Sequence, residues 1–235
     1  MVTLFFSPYL QENHLETLKD GTTNIFEGVI KMDSEIVRIF DENMKCIGKK
    51  TRGEVHISGD WHETFHCWFA IVEKNECYVL FQKRAEVKKD YPGLLDITSA
   101  GHLLAEEEVR EGTREVEEEL GISIKFEDLI SLGIIKGEIK LDQIWDREIC
   151  HVFLYECRLL PEFKLQEDEV DSLYKIRLDD VMNLFEGTVT EITATEISKQ
   201  NSKIVNKASF VGMDSYYVNV FERIKKRLNK VKGSV

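Results

Sequence analysis

Residues 101–122 read GHLLAEEEVREGTREVEEELGI, and eight of them are glutamate. Like charges three or four places apart destabilise a helix by roughly 0.2–0.5 kcal/mol per pair, so something must offset the repulsion. On a helix of 3.6 residues per turn, a segment from about Glu106 to Leu120 puts Val109, Thr113, Val116 and Leu120 on one face, suited to packing on a sheet. Glu111, Glu115, Glu118 and Glu119 fall together on another face, and Gly121 follows as a C-cap glycine. Arg114 stands four residues before Glu118 and can pair with it. A solvated acidic face is one reading. The other is a cation site, because several carboxylate oxygens at one spot are what Mg²⁺ or Mn²⁺ requires.

Around this segment the chain alternates strand and turn signals. EIVRIF and KCIGKK flank DENM as a hairpin, and TFHCWFAIV and CYVLFQKR flank EKNE as a second one. ISIKFEDLISLGIIKGEI and REICHVFLYECRL continue as strands, LDDVMNLFEG reads as a short helix and DSYYVNVFERIKKRLNKV as a longer amphipathic one. Strands dominate the middle with helices between and after them, which predicts an α+β fold, a mixed β-sheet sandwiched by helices. Residues 1–34 read as an N-terminal leader of undetermined structure, and 35–235 as one domain that includes the C-terminal helices.

Composition narrows the function. The chain has 235 residues, 43% of them hydrophobic, and a formal net charge of −12. That charge disfavours nucleic acid as a partner, because duplex binding rests on Lys and Arg neutralising phosphates. A phosphorylated substrate would need metal ions or a local basic patch. Five cysteines without a CxxC pair suit free thiols in a reducing cytoplasm. MVTLFFSPYLQENH does not read as a signal peptide, and no apolar run approaches the ~18 residues that span a bilayer. Six Lys and Arg in ERIKKRLNKVKG read as the solvated face of a packing helix, with Phe221, Ile224, Leu228 and Val231 as its apolar stripe. Trp61 and Trp145 are candidates for stacking on a base, whereas Trp68 reads as core. A homodimer is compatible with the sequence.

The order of residues in the acidic segment decides between its two readings. REVEEELGI, residues 114–122, resembles the core of the Nudix box, and Gly101 and Glu107 match its opening. Six residues separate Glu107 from Arg114 where the usual box has seven. The resemblance implies a Nudix fold and divalent-metal-dependent hydrolysis of a diphosphate in a small-molecule substrate, with Mg²⁺ or Mn²⁺ as cofactor. By resemblance, Glu118 and Glu119 are metal ligands, Glu115 is a further ligand or the general base, and Arg114 orients the glutamates. Glu107 and Glu169 are further candidate ligands.

From about Val37 to Val181 the chain also resembles the isopentenyl diphosphate isomerase branch of that superfamily, through RGEVHISGDWHETFHCWF, QKRAEVKKDYPGLLDITSAGH and DREICHVF. The match implies a second site for a transition-metal ion at His56, His62, His102, Asp146 and Glu148, with His66 read as structural. Arg52, Arg84 and Lys88 match basic residues of the isomerase's diphosphate pocket. The isomerase's catalytic cysteine has Ala100 at its position, and a methyl group can neither deliver nor remove a proton. Hydrolysis is therefore the expected chemistry. The isomerase itself, or a non-catalytic Nudix-fold binding module, are the alternatives.

Overall fold

The computed structural model describes residues 34–140 and 144–232. The expected leader lies outside them apart from Ser34. Strand β3 (Trp61–Glu73) organises the whole sheet. Along one edge it pairs in parallel with β8 (Trp145–Cys157), from Trp61↔Arg147 to Ile71↔Cys157. Along the other edge it pairs antiparallel in turn with β1 (Ile36–Phe40), β6 (Ser99–His102) and β4 (Glu76–Arg84). The first hairpin closes with β2 (Cys46–Thr51), and β5 (Leu95–Asp96) adds to β4. β7 (Ile130–Lys140) pairs with β8, and β9 (Val170–Arg177), β10 (Ile192–Glu196) and β11 (Ser202–Val205) extend the sheet beyond β4.

Both faces of β3 are covered, which is why its sequence reads as a nearly continuous apolar run instead of alternating. Phe65, Cys67, Phe69 and Ile71 face the acidic helix α2 (Thr113–Leu120), meeting Val116 and Leu120 in one core. Trp68 and Ala70 face the opposite layer of α3 (Leu178–Glu186) and α4 (Asp214–Lys232), in a second core with Val181, Leu184, Tyr217 and Phe221. The fold is α+β, a mixed sheet sandwiched by helices. No helix among the described residues is long and apolar enough to cross a membrane. All five cysteines are free thiols.

Four local expectations need correction. The EKNE turn is tighter than read. Lys74 and Asn75, both at positive φ (50° and 68°), make a two-residue loop and the glutamates continue the strands. The acidic helix does not begin at Glu106. A 3-10 turn at Val109–Gly112 precedes it and the α-helix starts at Thr113. The cause is local: Glu107 accepts from the Leu104 N–H and Glu111 from the Glu108 N–H, each at 2.7 Å, so these carboxylates satisfy loop backbone. Glu111 is thereby turned away from Glu115, Glu118 and Glu119. ISIKFED is a loop with a 3-10 turn at Phe126–Asp128, and the strand starts at Ile130. Lastly, residues 52–58 form a helix, α1 (Arg52–Ser58), that the sequence reading passed over. Its signal was present in Thr51-x-x-Glu54, a capping box in which each side chain bonds the other's backbone.

Basic side chains of α4 serve the fold. Arg223 donates to the Leu132 carbonyl at 2.6 Å, and Lys225 and Arg227 pair with Asp179 and Glu156.

Candidate active site

A cavity of about 420 Å³ opens between β6, β3 and β8 on one side and the loops before α2 and β9 on the other. Side chains two apart on a strand share a face, so Asp146 and Glu148 of β8 come together there, as do Ala100 and His102 of β6. Arg52 and His56 arrive on α1, and Arg114, Glu115, Glu118 and Glu119 on α2. Arg84, Lys88 and Glu169 complete its far end. His62 lies buried beneath it, fully shielded from solvent. Glu107 stands apart: it does not line the cavity, and its carboxylate is taken by Arg114 and the Leu104 N–H.

Three imidazoles meet at a point. Nε2 of His102 is 3.3 Å from Nε2 of His56 and 3.1 Å from Nε2 of His62. Nδ1 of His62 lies 3.1 Å from the Asp60 carbonyl, which can only accept, so Nδ1 carries the proton and Nε2 presents a lone pair to the cluster. Oδ1 of Asp146 is 3.5 Å from His62 Nε2, is buried, and has no hydrogen-bond donor. Burial, reinforced by the neighbouring charges of His62 and Arg52, pushes His56 down to about 4. Burial lowers His62 and His102 as well. Burial works against ionisation of Glu148, but His66 and the other imidazoles outweigh it and hold that carboxyl to about 2. Asp146 goes the other way, raised by burial and by the charge on Glu148. Neutral imidazoles aimed at one another beside an unpartnered carboxylate oxygen fit a divalent cation, and the nitrogen-rich set favours a transition ion.

The glutamate cluster is organised around Arg114. Its guanidinium donates to Glu107 at 2.5 Å, Glu115 at 2.6 Å, Glu118 at 3.3 Å and the His102 carbonyl at 3.0 Å. The opening glycine has a steric role: a Cβ on Gly101 would overlap the Glu115 carboxylate. Glu119 is buried and accepts from the Ala100 N–H at 3.2 Å. Burial pushes Glu115 up to about 7 against the pull of Arg114, and burial with the charge of Glu115 pushes Glu119 up to about 8. Among the described residues, the tightly convergent donor groups are His56–His62–His102, His62–Asp146–Glu148 and His66–Glu148–Cys150. The glutamates of α2 are not among those groups, and Arg114 sits between them.

Arg84 and Lys88 at the far end, and Arg52 on α1, each have an acid. Arg84 donates to Asp96 and to the Asp90 carbonyl, both at 3.0 Å; Lys88 pairs with Glu169; and Arg52 is 3.9 Å from Glu35. Sequence reasoning missed Glu35 and Asp96; His66, read there as structural, is buried and 3.5 Å from Glu148. None of the three tryptophans lines the cavity; Tyr91 does. Trp68 is core, and Trp61 and Trp145 flank the Arg147 guanidinium at 4.2 and 5.1 Å.

Comparison with known proteins identifies the family. The NUDIX domain family matches residues 60–194. An uncharacterized Nudix hydrolase from Clostridium acetobutylicum is 39% identical over 188 residues, covering 77% of this chain and 91% of that protein. An isopentenyl-diphosphate delta-isomerase from Photorhabdus laumondii is 35% identical over 122 residues, covering 51% of this chain and 68% of the isomerase. Among solved structures, DR0079 from Deinococcus radiodurans superposes with a TM-score of 0.48 at 13% identity, covering 65% of this chain and 90% of that one. The chain belongs to the Nudix family, in its isomerase-like branch. As an enzyme it is of the Nudix pyrophosphohydrolase type.

Proposed function

We propose that the protein hydrolyses the diphosphate linkage of a nucleotide-like or other small organic diphosphate, with Mg²⁺ or Mn²⁺ at Glu115, Glu118 and Glu119 and a transition-metal ion at His56, His62, His102, Asp146 and Glu148. One observation carries the reading. Ten Asp and Glu against four Lys and Arg line the cavity, so a polyanionic substrate is repelled unless cations enter with it. Divalent cations held by these residues would neutralise the diphosphate oxygens and supply a water of lowered pKa. Arg114 holds Glu115 and Glu118 in place by charge-assisted hydrogen bonds. Arg84 and Lys88 at the opposite end, and Arg52 on α1, take phosphate oxygens by exchanging their acidic partners for substrate. Glu115 serves as a ligand or as the general base, its raised carboxyl suited to proton transfer near neutrality. Glu107 anchors Arg114 in preference to holding metal, and Glu169 is a lesser candidate because Lys88 already pairs with it.

Isomerisation is the weaker reading, because the Ala100 methyl lines the cavity where that chemistry needs a proton donor. The test is a phosphate-release screen over nucleoside di- and triphosphates, nucleotide sugars, dinucleotides and isoprenoid diphosphates, with Mg²⁺ and Mn²⁺ compared. Turnover of at least one class, abolished by chelation, is the expected result. Uniform inactivity with both ions would refute the reading.

A further inference from the structure

His66 is the floor residue of the cavity that the metal reading leaves without a task. His62, Thr64, His66 and Trp68 alternate onto one face of β3. Thr64 and His66 line the cavity, while Trp68 belongs to the apolar core under α4. Tyr216 of α4 closes the boundary between the two, 2% exposed like His66 itself. The Trp68 Nε1–H donates to the Tyr216 oxygen at 3.1 Å, and that hydroxyl is 2.7 Å from His66 Nδ1. On its other side, His66 Nε2 faces Glu148 Oε2 at 3.5 Å, within ion-pair range but longer than a made hydrogen bond.

Donor and acceptor rules give this chain a direction. An indole only donates and a carboxylate only accepts, so Nε2 of His66 carries the proton that faces Glu148. On a neutral ring Nδ1 is then bare, and Tyr216 donates its O–H to it. The two hydrogen bonds run one way, from Trp68 through Tyr216 to His66, and leave the Nε2–H of His66 facing Glu148.

We propose that His66, locked in orientation by Tyr216, is a positioning residue that holds Glu148 toward the imidazole cluster. The inference rests on the metal reading of His56, His62, His102, Asp146 and Glu148. Glu148 stands in two convergent groups at once, with donor atoms within 4.8 Å of one another: His62 and Asp146 on one side, His66 and Cys150 on the other. Without His66, what remains on that oxygen among the described contacts is the Cys150 thiol at 3.6 Å, a weak donor. The Glu148 carboxylate would then be held on that side by the weak thiol donor alone, two residues from Asp146 on the same face. Partners that orient a ligand in this way typically change metal affinity 10- to 100-fold when lost.

The experiment titrates the full-length, metal-free protein with Co²⁺ and follows its visible ligand-field bands, which report an imidazole-ligated ion. His66→Leu removes both ring nitrogens and is expected to weaken Co²⁺ binding about 10- to 100-fold. His66→Gln keeps an N–H donor the same number of bonds from the backbone as Nε2, and is expected to recover near-wild-type affinity. Tyr216→Phe, which frees the ring without removing it, is expected to fall between the two. Val205→Ala, a buried core change on the edge strand β11, away from the chain of contacts, lowers stability without moving Co²⁺ affinity. A Co²⁺ affinity that His66→Leu leaves unchanged, or a His66→Gln variant as weak as His66→Leu, overturns the positioning role alone. A wild-type protein that gives no imidazole-ligated spectrum overturns the metal reading together with this one.

Discussion

Glu119 makes two demands that separate activity from stability. It is buried beside Ala100, and its carboxyl is pushed up to about 8 by burial and by Glu115. A carboxyl raised in this way contributes stability that is fully present below the unfolded value of about 4.5 and is lost as pH rises through the folded value. Without metal, the wild type should therefore weaken between about pH 5 and 9. Glu119→Gln should remove that loss and be the more stable protein at pH 9, by on the order of a few kcal/mol in urea unfolding. The same variant, and Glu118→Gln, should lose most hydrolysis at saturating Mg²⁺, because each removes charge from the metal clamp. A variant that kept near-wild-type turnover would remove that residue from the ligand set. The histidines carry the opposite sign. His56 is pushed down to about 4, so its share of stability is present above about 6.5 and lost as pH falls below that. Ala100 gives a third expectation at this scale: isopentenyl diphosphate should yield no dimethylallyl isomer, and turnover dependent on Glu148 would contradict it.

At the scale of elements, α2 works because the backbone around it leaves room. Gly112 lets the turn before the helix rest on Phe65, where a Cβ would overlap the ring, and Gly101 leaves space for the Glu115 carboxylate. Gly101→Ala should displace Glu115, reducing turnover while leaving α2 docked through Val116 and Leu120; a circular-dichroism melt alongside initial rates would separate the two effects. The shortened loop between Glu107 and Arg114 is steadied from β1, where Arg38 donates to the Glu107 carbonyl at 2.8 Å and pairs with Glu63 at 2.9 Å. The docking face and the C-cap of α2 were legible because apolar period and glycine placement are local. The start of the helix was not, because loop carboxylates competed for backbone N–H groups. α1 escaped notice because a helix of seven residues has little periodicity to read. The contacts of His66 were not legible for a different reason. Its partners are Tyr216, 150 residues away, and Glu148, brought close by the parallel pairing of β8 with β3.

Across the whole molecule, the sheet keeps two chemistries apart on one face. On β3 and β8 the end that carries His62, His66, Asp146 and Glu148 is polar, and the end that carries Trp68, Ala70, Val152 and Leu154 is sealed by α3 and α4. The resemblance in the sequence named ten of the cavity's fourteen Asp, Glu, Lys and Arg residues but could not show that they share one chamber, since that depends on the order β6–β3–β8. A chamber with ten acids and four Lys and Arg is under strain from its own charge without cations. Saturation of one site at a hundred times its Kd adds about 2.7 kcal/mol of stability, so Mn²⁺ should raise the melting temperature and EDTA should reverse it. The most direct measurement is the anomalous diffraction of crystals grown with Mn²⁺. The account predicts metal peaks inside the cavity, with His56, His62 and His102 nitrogens at roughly 2.0–2.3 Å from one ion and carboxylates of Glu118 or Glu119 ligating another. Crystals soaked at saturating Mn²⁺ whose cavity carries no anomalous peak, with the imidazole nitrogens turned apart, would contradict it.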